Sequence, residues 1–165
     1  MGIDMKNEQT RVIAFGGMIA ALYVVLTFVA QAFGLASGAI QVRFSEALCL
    51  LPCLTPAAVP GLTVGCVLAN LLTGCAPWDV VFGSLATLIG AVGTRMMRNR
   101  PMLSWIPPVL SNTIIVPIVL MKVYGVDTAW PLLTFQILTG EMISVCILGL
   151  LLYKAVKPAM SNLSA

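Results

Sequence analysis

Along the chain, apolar runs are broken by polar residues, Gly and Pro in a way that predicts six helices, near residues 11–33, 42–54, 58–73, 79–95, 101–122 and 130–154. A helix needs roughly 20 mostly apolar residues to cross a hydrocarbon core. The second and third runs fall short of that. Pro52, Pro56 and Pro60 separate them, with Thr55-Pro56 suited to a tight turn and Pro60 to a helix start.

Composition turns this pattern into a membrane reading. Of 165 residues, 59% are apolar and only 9% charged, with a mean hydropathy of +1.01, whereas soluble domains carry about a quarter charged residues. The expected fold is an all-α, polytopic, six-helix bundle forming a single membrane domain over residues 1–165. Lys6, Arg11, Arg95, Arg98, Arg100, Lys154 and Lys157 fall on one side of this arrangement, and only Arg43 and Lys122 on the other. Basic residues are depleted from translocated loops, so both termini are expected on the cytoplasmic side of the cell membrane. The outer connections are then roughly 34–45, 74–78 and 123–129, and Trp78, Tyr124 and Trp130 lie at the boundary where amphipathic rings anchor spans.

Several chemistries drop out. The chain has no histidine, which removes imidazole acid–base catalysis and histidine metal sites. Its cysteines, Cys49, Cys53, Cys66, Cys75 and Cys146, lack paired CxxC spacing and read as small packing residues rather than zinc ligands or a disulfide frame. No nucleophile–base constellation points to an enzyme, and no cofactor is implied. The net charge of +3 follows the topology and forms no nucleic-acid patch. Arg11 and the small-residue stretch from Gly34 to Ala39 imitate a cleavable signal, but the apolar run between them is too long. Lys6 stands where a myristoylation signal at Gly2 would need Ser or Thr.

Polar groups retained in apolar helices are the informative remainder. An ionisable side chain near the bilayer centre costs roughly 2.5–3.5 kcal/mol on insertion scales, so one that persists usually faces a cavity or a partner. Glu141 lies in the last span, where Gln136, Gly140 and Ser144 recur every four residues along one helix stripe. Ser111 and Asn112 of the preceding span fall at a similar depth, so Asn112 and Glu141 are expected to line one pocket. Asn70 ends the third span. Asp79 opens the fourth as either an N-cap or a site residue. Arg43 and Glu46 open the second, either as a local ion pair or as part of the site. In the first span Gly16, Gly17, Ala20 and Ala21 form overlapping small-xxx-small pairs, which imply a closely packed helix of this bundle or of another chain.

The stretches Val42-Arg43-Phe44-Ser45-Glu46-Ala47-Leu48, Thr55-Pro56-Ala57-Ala58-Val59-Pro60-Gly61-Leu62, Ala69-Asn70-Leu71-Leu72 and Trp78 to Leu88 together resemble the queuosine precursor transporter family, QueT. Members of that family are substrate-binding S components of energy-coupling factor (ECF) transporters. The resemblance implies a six-helix binding subunit that captures a micronutrient from outside and works with a transmembrane coupling subunit and two ATPases. The chain itself has no GxxxxGK[ST] phosphate loop. It further implies that Gly16, Gly17, Ala20 and Ala21 dock the coupling subunit, and that the cargo is a 7-deazaguanine such as preQ0, preQ1, queuine or its nucleoside. A guanine-like edge offers two neighbouring donors that one carboxylate accepts, which suits Glu141 or Glu46. Asn70, Asn112 or Gln136 would meet other edge atoms, Trp78 or Trp130 would stack on the ring, and Asp79 would pair with a side-chain amine. Competing readings are an S component for another micronutrient such as a B vitamin, or a stand-alone membrane carrier.

Overall fold

The computed structural model describes residues 2–35 and 41–163, and the described residues form helices joined by short turns. In chain order these are α1 (Gly2–Ala32), a 3-10 helix (Phe44–Cys53), α2 (Ala58–Leu72), α3 (Pro77–Met96), α4 (Ile106–Val123) and α5 (Trp130–Glu141). The last of these runs without a break through a π-helical segment (Met142–Gly149) into α6 (Leu150–Leu163). Residues 36–40, which include part of the expected first outer connection and most of the signal-like stretch, lie outside the described residues.

The chain is an all-α polytopic membrane bundle. Four helical stretches are long and apolar enough to cross a bilayer: Gln9–Ala32, Pro77–Met96, Ile106–Val123 and Trp130–Met160. The outer surface of the bundle is apolar, with Ile13, Val25, Phe28, Val64, Leu71, Val81, Ile114, Phe135 and Ile147 all exposed. Water would penalise so large an apolar surface, and lipid does not.

Two departures from the expected helices have local causes. Residues 44–53 form a 3-10 rather than an α-helix, and Ser45 through Pro52 are all buried. At about 2.0 Å rise per residue this tighter winding carries ten residues about 20 Å, against about 15 Å as an α-helix. A short segment therefore reaches much of the way across the bundle. The fifth helix begins at Ile106 rather than near 101, after a turn in which Ser104 Oγ donates to the Pro101 carbonyl and Thr94 Oγ1 to the Ser104 carbonyl. Pro107 and Pro108 then occupy its first turn, where missing N–H groups cost nothing. The last helix continues past 154 to Leu163.

Glycine-permitted contacts set the helix order. A Cβ at Gly61 would meet the Gly16 carbonyl at 2.7 Å, and one at Gly65 would meet Tyr23 Cβ at 2.8 Å and the Ala20 backbone at 3.0 Å. α1 and α2 therefore lie in parallel, small face to small face. On the other side of the bundle a Cβ at Gly90 would meet Pro108 at 2.7 Å, which seats α3 against α4. Leu48, Leu51, Leu62, Cys66 and Tyr23 fill the core between α1, the 3-10 helix and α2.

Candidate functional site

The buried polar groups converge on the 3-10 helix. Glu46 is only 1% exposed, and its carboxylate accepts from Tyr23 Oη of α1 at 2.7 Å, from Cys49 Sγ at 3.0 Å and from Asn112 Nδ2 of α4 at 3.3 Å. The Cys49 contact follows from the winding, because side chains three apart eclipse in a 3-10 helix. The same Asn112 nitrogen also donates to Glu141 Oε1 at 3.1 Å. One amide thus bridges two carboxylates from different helices, at the core of the bundle. Among the described residues Glu141 Oε2 is buried and has no hydrogen-bond partner.

An extended stretch seals this cluster against α5. Gly140 lies directly against the Gln41 backbone, which leaves no room for a Cβ there, and Arg43 N–H donates to Ser144 Oγ at 3.1 Å. The Gly140 and Ser144 part of the stripe therefore faces inward onto the chain that leads to Glu46. The half-buried Arg43 guanidinium lies within electrostatic reach of Glu46, Asp79 and Glu141. Glu46 itself is held by Tyr23, Cys49 and Asn112.

A cavity of about 160 Å³ opens one turn along α5 from this cluster, lined by Gln41, Leu120, Val126, Thr128, Leu133, Gln136 and Ile137. Its walls are apolar with three neutral hydrogen-bonding side chains, and it sits beside the loop that joins α4 to α5. A pocket of that lining suits a compact, flat, neutral body.

A second polar group ties the same end of the bundle together. Tyr124 Oη accepts from the Ala76 backbone N–H and donates to Asp79 Oδ2, both at 3.0 Å. Asp79 is not the N-cap of α3; Ala76 takes that position and provides no side-chain cap, so Asp79 stands in the first turn, where a helix favours negative charge. Asn70 is buried near it. The Asn70 amide and Asp79 Oδ1 both border Gly83, and Asn70 Nδ2 donates to Cys66 Sγ at 3.6 Å.

Other expected site residues stand apart. Trp78 is 61% exposed and stacks on Phe82, and Trp130 is 49% exposed; neither ring faces Glu46 or Glu141. Ser111 donates back to the Pro108 carbonyl instead of joining Asn112. The small residues of α1 divide: Gly16 and Ala20 are buried against α2, whereas Gly17 and Ala21 are exposed, with nothing within 4 Å of a Cβ at Gly17. Four residues of the site were invisible as such in the sequence. Tyr23 and Cys49 lie in apolar runs and read as packing. Gln41 and Thr128 lie in connections, where polar residues carry no signal.

Residues 13–158 match the family described as QueT transporter. A relative from Lactococcus lactis subsp. cremoris (strain MG1363), "Queuosine precursor transporter QueT", is 35% identical over 86 residues, or 52% of this chain. That match spans about half, 50%, of the relative's own length. No solved structure matches.

Proposed function

Because this chain belongs to the QueT transporter family by a match over residues 13–158, we propose that it captures queuosine precursors outside the cell as the membrane subunit of an ATP-driven importer. The observation that carries this reading is the pair Glu46 and Glu141 meeting on Asn112 inside an apolar bundle. Burying two carboxylates is costly, and the orphan oxygen of Glu141 offers an arriving donor a ready partner. The edge of a 7-deazaguanine supplies two such donors side by side.

The adjoining cavity would hold the body of the cargo between Leu120, Leu133 and Ile137, with Gln41, Thr128 and Gln136 meeting its remaining polar atoms. Those apolar walls replace the tryptophan stacking expected from sequence, since Trp78 and Trp130 face outward.

Energy would come from other chains, since this sequence carries no phosphate loop. The exposed Gly17 and Ala21 face of α1 permits close approach of a foreign helix, and we assign it to the ECF coupling subunit that associates with two ATPases.

Titration of the purified protein with queuine, preQ1, riboflavin and thiamine tests the cargo. Queuine or preQ1 should bind tightly; tight vitamin binding with no deazaguanine binding would overturn the assignment. Uptake of queuine by this chain alone in liposomes, without ATPases, would overturn the energetic part.

A further inference from the structure

The two carboxylates of the buried cluster are unequally served. Glu46 receives three donors, from Tyr23, Cys49 and Asn112, whereas Glu141 receives one, from the amide it shares with Glu46. Its second oxygen is buried without a partner. A buried ionised carboxylate normally gathers donors on both oxygens. Two carboxylates bonded to one nitrogen are also close enough to repel strongly when both are charged.

The surrounding groups do not relieve that repulsion. Tyr23 of α1, Cys49 of the 3-10 helix and Cys66 of α2 face Glu46, and Cys146 of the π segment faces Glu141. None of these brings positive charge. Among the described residues that act on the pair, Arg43 is the cation, and Asp79 of α3 also draws on it. One guanidinium balances one carboxylate.

We propose that Glu46 is the standing carboxylate, that Glu141 holds one proton while the site is empty, and that a cargo presenting a cationic N–H group displaces this proton. On displacement the O–H bond of the Glu141 carboxyl breaks and its electron pair stays on the oxygen, which accepts the cargo's N–H. The proton is released to solvent. Nothing is oxidised or reduced. A cation exchanged for a proton leaves the cluster's charge unchanged, so the site favours amine-bearing or guanidine-like cargo over anions. The held proton stands on the geometry alone; only the choice of cargo rests on the proposed function.

Infrared spectra of the empty protein in nanodiscs at neutral pH should show a protonated-carboxyl band that is lost in E141Q and kept in D127N. Labelling the wild-type protein with [13C]glutamate should shift the same band, which assigns it to a glutamate, and loss of the band in E141Q but not in E46Q then places it on Glu141. No such band, or one that ignores the label, overturns the proposal. Calorimetry with queuine in buffers of different ionisation enthalpy should then show about one proton released per queuine bound. Binding without proton release also overturns the exchange. If queuine does not bind while the band is present, the cargo assignment falls and the held proton stands.

Discussion

Tyr124 donates to Asp79 across a 3.0 Å hydrogen bond while accepting from the Ala76 backbone, so a single phenol fastens the α4–α5 connection to the start of α3. Partial burial, together with its hydrogen bond to Asp79, pushes the phenol above its ordinary range. A raised group of this kind contributes stability that is fully present below its unfolded pKa of about 10 and lost as pH rises through the folded value. The clasp is therefore intact at neutral pH.

Removing the clasp should loosen the nearby turn. In Y124F, Cys75 is expected to react several-fold faster with a membrane-impermeant maleimide, while D79N, which keeps an acceptor oxygen, should react much like wild type. Equal rates in Y124F and wild type would show that the phenol does not hold the turn.

Tyr23 supports Glu46 through a charge-assisted bond of 2.7 Å. Deleting the hydroxyl in Y23F should cost about 1.5–3 kcal/mol, visible as a lower thermal midpoint in detergent. E46Q should lose less stability than Y23F and more cargo affinity, because a glutamine accepts the phenol but cannot serve a cationic edge.

The divided small-residue face of α1 separates folding from association. G61L drives a side chain into the Gly16 carbonyl and should sharply reduce folded yield by size-exclusion chromatography. G17L adds its side chain to open space and should fold normally. Its proposed effect is loss of co-purification with the coupling subunit.

Orientation is open to direct labelling. Cys75 is expected to react with an impermeant thiol reagent on intact cells, whereas a cysteine placed at Asn99, in the basic turn after α3, should react only after permeabilisation. The reverse pattern would invert the topology.

Much of the architecture was legible because apolar runs and prolines punctuate the chain on the scale of a helix. Winding was not. The 3-10 form of residues 44–53 depends on burial from all sides, and the π segment after Glu141 on packing against that same helix; neither leaves a periodic mark distinct from an α-helix. The meeting of Asn112 with Glu141 followed from matching depths on adjacent helices. Its extension to Glu46 did not, since the 3-10 rise shifts that residue's depth. Tyr23 escaped notice because a buried tyrosine in an apolar helix looks like any core aromatic. Trp78 shows a related limit: sequence places a ring near the outer boundary, not the side of its helix that it occupies, which here is the exposed one.

The helix that carries Glu141 continues unbroken from Trp130 to Leu163, through the π turn and past Lys154 and Lys157. Two features along it, the π turn beside Glu141 and Pro158 inside α6, are places where a helix bends. A tilt at the Trp130 end is therefore taken up beside Glu141 rather than carried whole to Lys154 and Lys157.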